Sequence, residues 1–428
     1  MEFKFPRGFV LGVSSAATQI EGGCTNNSWN DWYAKGHIKD GSDPARANGH
    51  WLNWREDVEL MAKMGIRACR FGIEWARICP KEGEIDQNAI ARYREELSLM
   101  RELGISPLMT LHHFTNPMWF EEKGGFEKRE NIGDFMDFVD LAVNCFGDLV
   151  SDYITINEPN VYATNGFYFG DWPPGKRSVK AACTVMSNLA YCHIMAYEMI
   201  HAIREERGFT DTRVGLASHM RVFAPKNHGN PAHIAAAGAT RWLFQGAINL
   251  AMCKGDFRAP LRAPYMVLPG EYCDFHGLNY YTRSTVTGLG DGVRENCPQN
   301  DLGWEIYPQG LVQCARDLFK LLPRPIWVTE NGTCDNTDAF RAKYICDHLA
   351  AISSAPLPIE RYYHWCFCDN FEWLEGESAR FGIVHVDYDS QKRSVKRSGE
   401  FFSAMIARGG VSEEMFREYV ENEEYNVK

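Results

Sequence analysis

The chain has 428 residues, of which 45% are hydrophobic and 24% charged. That is ordinary globular composition and excludes a disordered chain, a collagen-like fibre and a small disulfide scaffold. The 45 Lys and Arg against 56 Asp and Glu leave a net charge of -11, which argues against a primary nucleic-acid role because such a surface repels phosphate backbones.

Eight short apolar runs recur along the chain, each ending in polar or aromatic residues. They are residues 9–16 (FVLGVSSA), 68–75 (ACRFGIEW), 106–113 (SPLMTLHH), 152–158 (DYITINE), 213–221 (RVGLASHMR), 274–281 (DFHGLNYY), 325–332 (PIWVTENG) and 362–370 (YYHWCFCDN). Most lack strict alternation, as expected of parallel strands covered on both faces. Helical patterns lie between them. Residues 54–64 place Val58, Met61 and Ala62 on one stripe ahead of Gly65, and 89–103 end at Gly104. Residues 131–146 and 179–207 read the same way, Asn230-Pro231 reads as an N-cap with Pro at the first helical position, and a closing helix is expected near 399–407. Strand and helix alternate eight times, so the expected fold class is α/β: one (β/α)8 TIM barrel spanning 1–428, with long βα loops. No Gly/Ser linker or Pro-rich hinge marks a domain boundary.

The first seven residues lack the apolar stretch of a secretory signal, and no run of about 18 apolar residues suggests a membrane span. The 14 Cys are scattered and form no C-x-x-C pair. Reduced, mostly buried thiols in a cytoplasmic protein are expected, with no metal and no cofactor.

In such a barrel the site lies at the C-terminal ends of the strands. The tails there carry Gln19 and Glu21, Arg70 with Glu74 and Trp75, His112 and His113, Asn157 and Glu158, His219, Asn279 to Tyr281, Thr329 to Asn331, and Trp365 with Glu372 and Trp373. No glycine-rich phosphate loop, G-x-S-x-G or H-E-x-x-H is present. Glu158 and Glu330 end the fourth and seventh runs, which face each other across a closed eight-strand barrel. A carboxylate pair suits glycoside hydrolysis, retaining at about 5–5.5 Å and inverting at about 6.5–9.5 Å, and the sequence does not supply the distance. Aromatics at 13%, with 12 Trp and 18 Tyr, suit both a large core and flat, weakly polar ligands such as sugar rings.

Six motifs in order resemble glycoside hydrolase family 1, the β-glucosidase family, from Phe9 to about residue 407. They are Q-I-E-G at 19–22, R-F-G-I-E-W-A-R-I at 70–78, T-I-N-E-P at 155–159, G-L-N-Y-Y at 277–281, V-T-E-N-G at 328–332 and D-N-F-E-W-L-E-G at 369–376. The resemblance implies Glu330 as nucleophile and Glu158 as acid/base, its pKa raised by the Glu330 charge, with Arg70 and Tyr281 contacting Glu330. It further implies a sugar-binding set of Gln19, His113, Asn157, Asn279, Trp365, Glu372, Trp373 and Phe381. His112 reads as structural. His219 stands where the family often has Asn, which leaves its role open. The expected activity is that of a retaining exo-β-glycosidase, foremost a β-glucosidase with tolerance of galactose or fucose. The expected partner is a small-molecule β-glycoside, not nucleic acid or membrane, and a homo-oligomer is compatible with the sequence.

Relatives that act on 6-phosphoglycosides usually carry Ser where this chain has Glu372, with Lys and Tyr a few residues on to hold the phosphate. This chain has Glu372, Leu374 and Phe381 in that stretch, and a carboxylate beside the 6-position repels phosphate, so a neutral glycone is favoured. A 6-phospho-β-glucosidase and a non-catalytic sugar-binding barrel are the competing readings. The chain is somewhat short for the family, compressed between 251 and 273 and between 331 and 362. S-S-A-A-T-Q at 14–19 also lacks an aromatic that usually stands beside the Gln.

Overall fold

The computed structural model describes residues 1–288 and 290–428. Eight parallel strands form the barrel: β1 (Val10–Ser14), β2 (Ala68–Gly72), β3 (Ser106–His112), β4 (Asp152–Asn157), β5 (Arg213–Pro225), β6 (Phe275–Val286), β7 (Ile326–Asn331) and β8 (Ile359–Trp365). Each pairs with the next, and β8 closes the ring by pairing with β1 from Arg361↔Val10 to Trp365↔Ser14. The fold is therefore the (β/α)8 barrel expected from the alternation.

The N-terminal half of the barrel interior is a solid plug. Val10, Ala68, Leu108, Ile154, Ala217, Phe275, Trp327 and Tyr363 meet there, one side chain from each strand. Phe275 and Trp327 stack with ring centroids 3.6 Å apart. Arg361 caps the Trp327 ring and shares the Asp152 carboxylate with Arg213. Such layered filling blocks one end and leaves the other for polar groups.

Eight helices cover the strands: α1 (His50–Lys63), α2 (Gln87–Glu102), α3 (Ile132–Phe146), α4 (Val179–Glu206), α5 (Ala247–Lys254), α6 (Pro308–Leu321), α7 (Arg341–Ser353) and α8 (Arg397–Arg408). Local chemistry sets their ends. Asp86 accepts from the backbone N–H groups of Asn88 and Ala89, which starts α2 two residues ahead of the periodic pattern. Asn230 caps a helix at Pro231–Arg241 by accepting from Ala232 N–H, as the Asn-Pro pair predicts. Helix α1 begins four residues earlier than its apolar stripe. Its first residue, His50, is buried between Asp57 and Glu96 at 2.8 Å from each, a tether that hydrophobic periodicity does not register.

Three strands differ from the apolar runs. Strands β5 and β6 continue past Arg221 and Tyr281, pairing from Val222↔Arg283 to Pro225↔Val286 after a register shift. The eighth run shifts the other way. Strand β8 starts at Ile359 and stops at Trp365, because the backbone of Cys366 to Asp369 pairs with Phe381, Ile383 and Val384, while Phe367 N–H still donates to Ser14 O at 3.4 Å. That crossover turns Glu372 and Trp373 over the mouth of the barrel. No helix among the described residues is long and apolar enough to cross a membrane.

Candidate active site

Arg70, at the end of β2, is fully enclosed and holds the mouth together. Its Nη1 donates to Glu330 Oε1 at 2.5 Å, its Nη2 to Asn157 Oδ1 at 2.6 Å and its Nε to Thr110 Oγ1 at 3.0 Å. One guanidinium thus ties β2 to β3, β4 and β7, and its planar fork fixes the angles between them. The Tyr281 hydroxyl, from β6, donates to the other Glu330 oxygen at 2.6 Å. Thr329 donates to Asn279 Oδ1 at 2.7 Å, and Asn279 Nδ2 donates to Glu158 Oε1 at 2.8 Å and to Asn157 Oδ1 at 3.0 Å.

Glu158 sits in a left-handed conformation with φ 42°, directly before Pro159. Its N–H donates across to Ala217 O at 2.8 Å. A non-glycine residue in this region carries strain of order 1–3 kcal/mol, and the surrounding strands over-determine it here. His219 Nδ1 lies 3.0 Å from the same Oε1 that Asn279 uses, and Arg221 Nε donates to His219 Nε2 at 3.0 Å. Glu158 Oε2 has no hydrogen-bond partner among the described residues.

The two carboxylates are buried, 5% and 3% exposed, and titrate as a pair. Burial, with the Glu158 charge behind it, pushes Glu330 up to about 7 against the pull of Arg70 and Tyr281. For Glu158, burial pulls upward, but His219, Asn279 and Arg70 outweigh it and hold the carboxyl below the usual range, opposite to the rise expected from the sequence. The Arg221 N–H occupies the lone pair that a second imidazole proton would need. His219 thereby meets Glu158 through its Nδ1–H. A permanent guanidinium stabilises an anion better than neutral donors do, which favours the anion at Glu330 once Glu158 carries a proton.

Further out, Gln19 Nε2 donates to Phe371 O at 2.8 Å and to Glu372 Oε2 at 3.4 Å. Asn157 Nδ2 donates to His113 Nε2 at 3.0 Å. Burial, then Arg70 and His112, hold His113 well below its usual range, so it is neutral. Gln19 Oε1 and His113 Nδ1 are buried without a partner, which is costly unless a ligand satisfies them. Trp365 and Trp373 lie nearly parallel to the His113 ring, at 5.8 and 5.9 Å. Burial and the Glu330 charge push Glu372 up to about 8 against hydrogen bonds from Trp365 and Gln19.

The structure also separates residues that the motifs had placed side by side. Glu74 accepts from Ala76 N–H and caps a short helix, and Trp75 packs on Phe120 and Phe138. His112 bonds Asn116 and lies edge-on to Phe126, Phe135 and Tyr162. Phe381 is buried edge-on to Tyr281 and tilted against Trp304, so its ring supports the wall. The sequence reading missed Arg221, whose only signal was its place two residues after His219 on the same strand. It also missed Trp304, which no motif marks. No three metal-ligating side chains converge at this mouth among the described residues.

A closed barrel with a buried carboxylate pair, flanked by orphaned hydrogen-bonding groups and indoles, is the site of a glycoside hydrolase. The model of the Glycosyl hydrolase family 1 matches residues 1–411, and the chain belongs to that family. It is 31% identical to "Beta-glucosidase A" of Thermotoga maritima, over 96% of this chain and 99% of that one. It superposes on a beta-glycosidase from Pyrococcus horikoshii with a TM-score of 0.90 at 31% identity, covering 98% of each chain. It also superposes on the Thermotoga maritima beta-glucosidase in complex with castanospermine, with a TM-score of 0.88 at 30% identity, over 96% of this chain and 100% of that one.

Proposed function

We propose that the chain is a retaining exo-β-glycosidase that releases terminal β-D-glycosyl residues, with glucose as the main glycone and galactose and fucose also accepted. The names of its relatives support the glucosidase reading. The observation that carries the mechanism is the asymmetry of the carboxylate pair. Glu330 faces a permanent cation and a phenol. Glu158 receives both of its donors on Oε1, which leaves Oε2 to carry an acid proton.

In the first step the Glu330 carboxylate attacks the anomeric carbon. The bond to the leaving oxygen breaks, and that oxygen takes the Glu158 proton. The glycosyl ester removes the Glu330 charge, and Glu158 becomes the more acidic carboxylate left behind. In the second step Glu158 takes a proton from water as the water oxygen attacks the same carbon and Glu330 departs. Asn157 keeps one amide hydrogen free for the sugar 2-hydroxyl, where bonding strengthens in the transition state. Gln19 Oε1, His113 Nδ1–H, Glu372 and Trp373 serve as the glycone clamp, with the Trp365 indole as its apolar face.

A neutral glycone is favoured, on narrower grounds than charge alone. Because Glu372 is pushed up to about 8, it is largely protonated at neutral pH and repels phosphate less than an ordinary carboxylate. The case rests instead on Leu374 and Phe381, which offer neither a cation nor a phenol. The 14 free thiols, with no disulfide among the described residues, support a reducing, cytoplasmic setting.

The test is Glu330→Gly and Glu158→Ala assayed on an aryl β-glucoside. Each loses about 10³-fold or more in kcat. Azide rescue yields the α-glycosyl azide from the first variant and the β-glycosyl azide from the second. Near-parental turnover in either variant, or an α-sugar as the first product of the parent enzyme, overturns the reading. Faster cleavage of a 6-phosphoglycoside than of its parent sugar overturns the neutral glycone.

A further inference from the structure

A second cluster of reactive side chains lies at the opposite end of β6 from the carboxylates. Cys253 sits near the C-terminus of α5, Cys273 lies two residues before β6, and His276 is the second residue of β6. One ligand atom from each lies within 4.8 Å of the other two, and all three residues are buried. Cys253 Sγ is 3.9 Å from His276 Nδ1.

The orientation of the imidazole is specific. His276 Nε2 donates to the backbone oxygen of Leu322 at 2.7 Å. Its proton is therefore on Nε2, and the Nδ1 lone pair faces the two sulfurs. A carbonyl on the far nitrogen is how metal-binding histidines are commonly held. As mere packing the arrangement is poor, since an S–H is a weak partner for a buried imidazole nitrogen. As a coordination set it fits, since a sulfur at about 2.3 Å and a nitrogen at about 2.0 Å from one ion stand roughly 3.7 Å apart.

The backbone sets the two cysteines in place. Tyr272 N–H donates to Cys253 O at 3.0 Å, and Asp274 N–H donates to Val214 O at 2.8 Å. Residues 255–272 between them contain no helix or strand, an uncommon length for an irregular loop. A cross-link between Cys253 and Cys273 would close that loop at its two ends. Neither cysteine was visible as a ligand from C-x-x-C spacing. The overlooked signal was C-x-x-H at Cys273 and His276 together with a cysteine from the preceding helix.

We propose that Cys253, Cys273 and His276 form a buried structural site for one thiophilic closed-shell cation, zinc(II) or copper(I). Thiolates select these ions; zinc(II) has no d-electron geometric preference, but structural zinc is almost always four-coordinate, so beside these three side chains it takes one further ligand. Zinc(II) is the better match in charge, because two thiolates and a neutral imidazole leave the buried site neutral. Binding releases the two thiol protons to solvent. The site is remote from Glu158 and Glu330 and does not depend on their roles.

The full-length protein, produced in zinc-supplemented or copper-supplemented medium and purified under reducing conditions without chelator, is assayed for bound metal. The expected result is about one ion per chain, falling to about a tenth or less in Cys253→Ala, Cys273→Ala and His276→Leu. Cobalt(II)-grown parent protein shows sulfur-to-cobalt charge-transfer absorption, which settles thiolate ligation even where a variant fails to fold. A parent protein holding neither ion, a cobalt form without that band, or folded variants that retain the ion would each overturn the proposal.

Discussion

His219 Nδ1 donates to Glu158 Oε1 at 3.0 Å while Arg221 Nε–H closes the other side of the same ring at 3.0 Å. Because an arginine N–H can only donate, Nε2 is the acceptor of the ring and Nδ1–H the donor to Glu158. The charged groups that face it are Glu158 and Arg221. Beyond them stand Asp291, 3.7 Å from Arg221 Nη1, and Arg70 with Glu330 across the mouth.

Replacing His219 by Ala removes a donor that favours the Glu158 anion, so Glu158 stays protonated to higher pH. The basic limb of kcat/KM moves up by about one pH unit, the worth of one hydrogen bond to a carboxylate. Replacing Arg221 by Met frees His219 Nε2 to take a proton, and the same limb moves down. Opposite shifts in two pH–rate profiles are the check. A common direction would show that Arg221 does not close Nε2 in this way.

Arg70→Met leaves the Glu330 carboxylate buried without its cation. Loss of one partner from a buried pair costs about 3–5 kcal/mol, so both stability at neutral pH and kcat/KM fall. Tyr281→Phe removes a single hydrogen bond to the same carboxylate, and its loss in kcat/KM is smaller, about 10–100-fold. Thermal melts and kinetics on one aryl glucoside rank the two variants.

The His50 tether makes a pH-dependent contribution to stability. Against burial, which disfavours the imidazolium, the Glu96 and Asp57 carboxylates push His50 up to about 10 from its ordinary 6.5. A raised folded-state value means the contribution is full below pH 6.5 and is lost as pH rises from there through 10. His50→Gln is therefore more destabilising at pH 6 than at pH 10, by about 3 kcal/mol at the acid end. Denaturant melts at the two pH values measure the gap.

Glu372 has the same sign for a different reason. Its folded value of about 8 lies above its ordinary 4.5, so the folded state loses stability relative to low pH as Glu372 ionises between those values. Glu372→Gln removes that loss, and its Tm advantage over the parent grows from pH 5 to pH 8 by about 4 °C. A constant Tm difference across that range would show that Glu372 is already ionised at pH 5.

The barrel was legible because its signals are local. Eight apolar runs, the glycines after Met64 and Leu103, and the Asn230-Pro231 cap all act over a few residues. The strand tails were legible for the same reason, since a parallel barrel puts every tail at one end. Legibility stopped where partners lie far apart in sequence. The start of α1 depended on Glu96 in another helix, and the end of β8 depended on backbone partners at Phe381 to Val384. Cys253 and His276 meet only because α5 returns to the foot of β6.

By itself the sequence determined the strand order, the alternation with helices and the residues carried at each strand end, since these follow from short-range periodicity and chain order. Only the tertiary structure decided which oxygen of each carboxylate meets which donor. Register shifts between Val328 and Glu330 in the β6–β7 pairing, and between Ile154 and Asn157 in the β4–β5 pairing, bring Asn279 beside Glu330 in one pairing and Asn157 beside Ala217 in the other. The left-handed turn at Glu158 then presents its Oε1 to His219 and Asn279. A one-residue slip in any of these strands would turn the same side chains to the other face of the sheet, so the candidate site residues were written locally and their contacts were set by register.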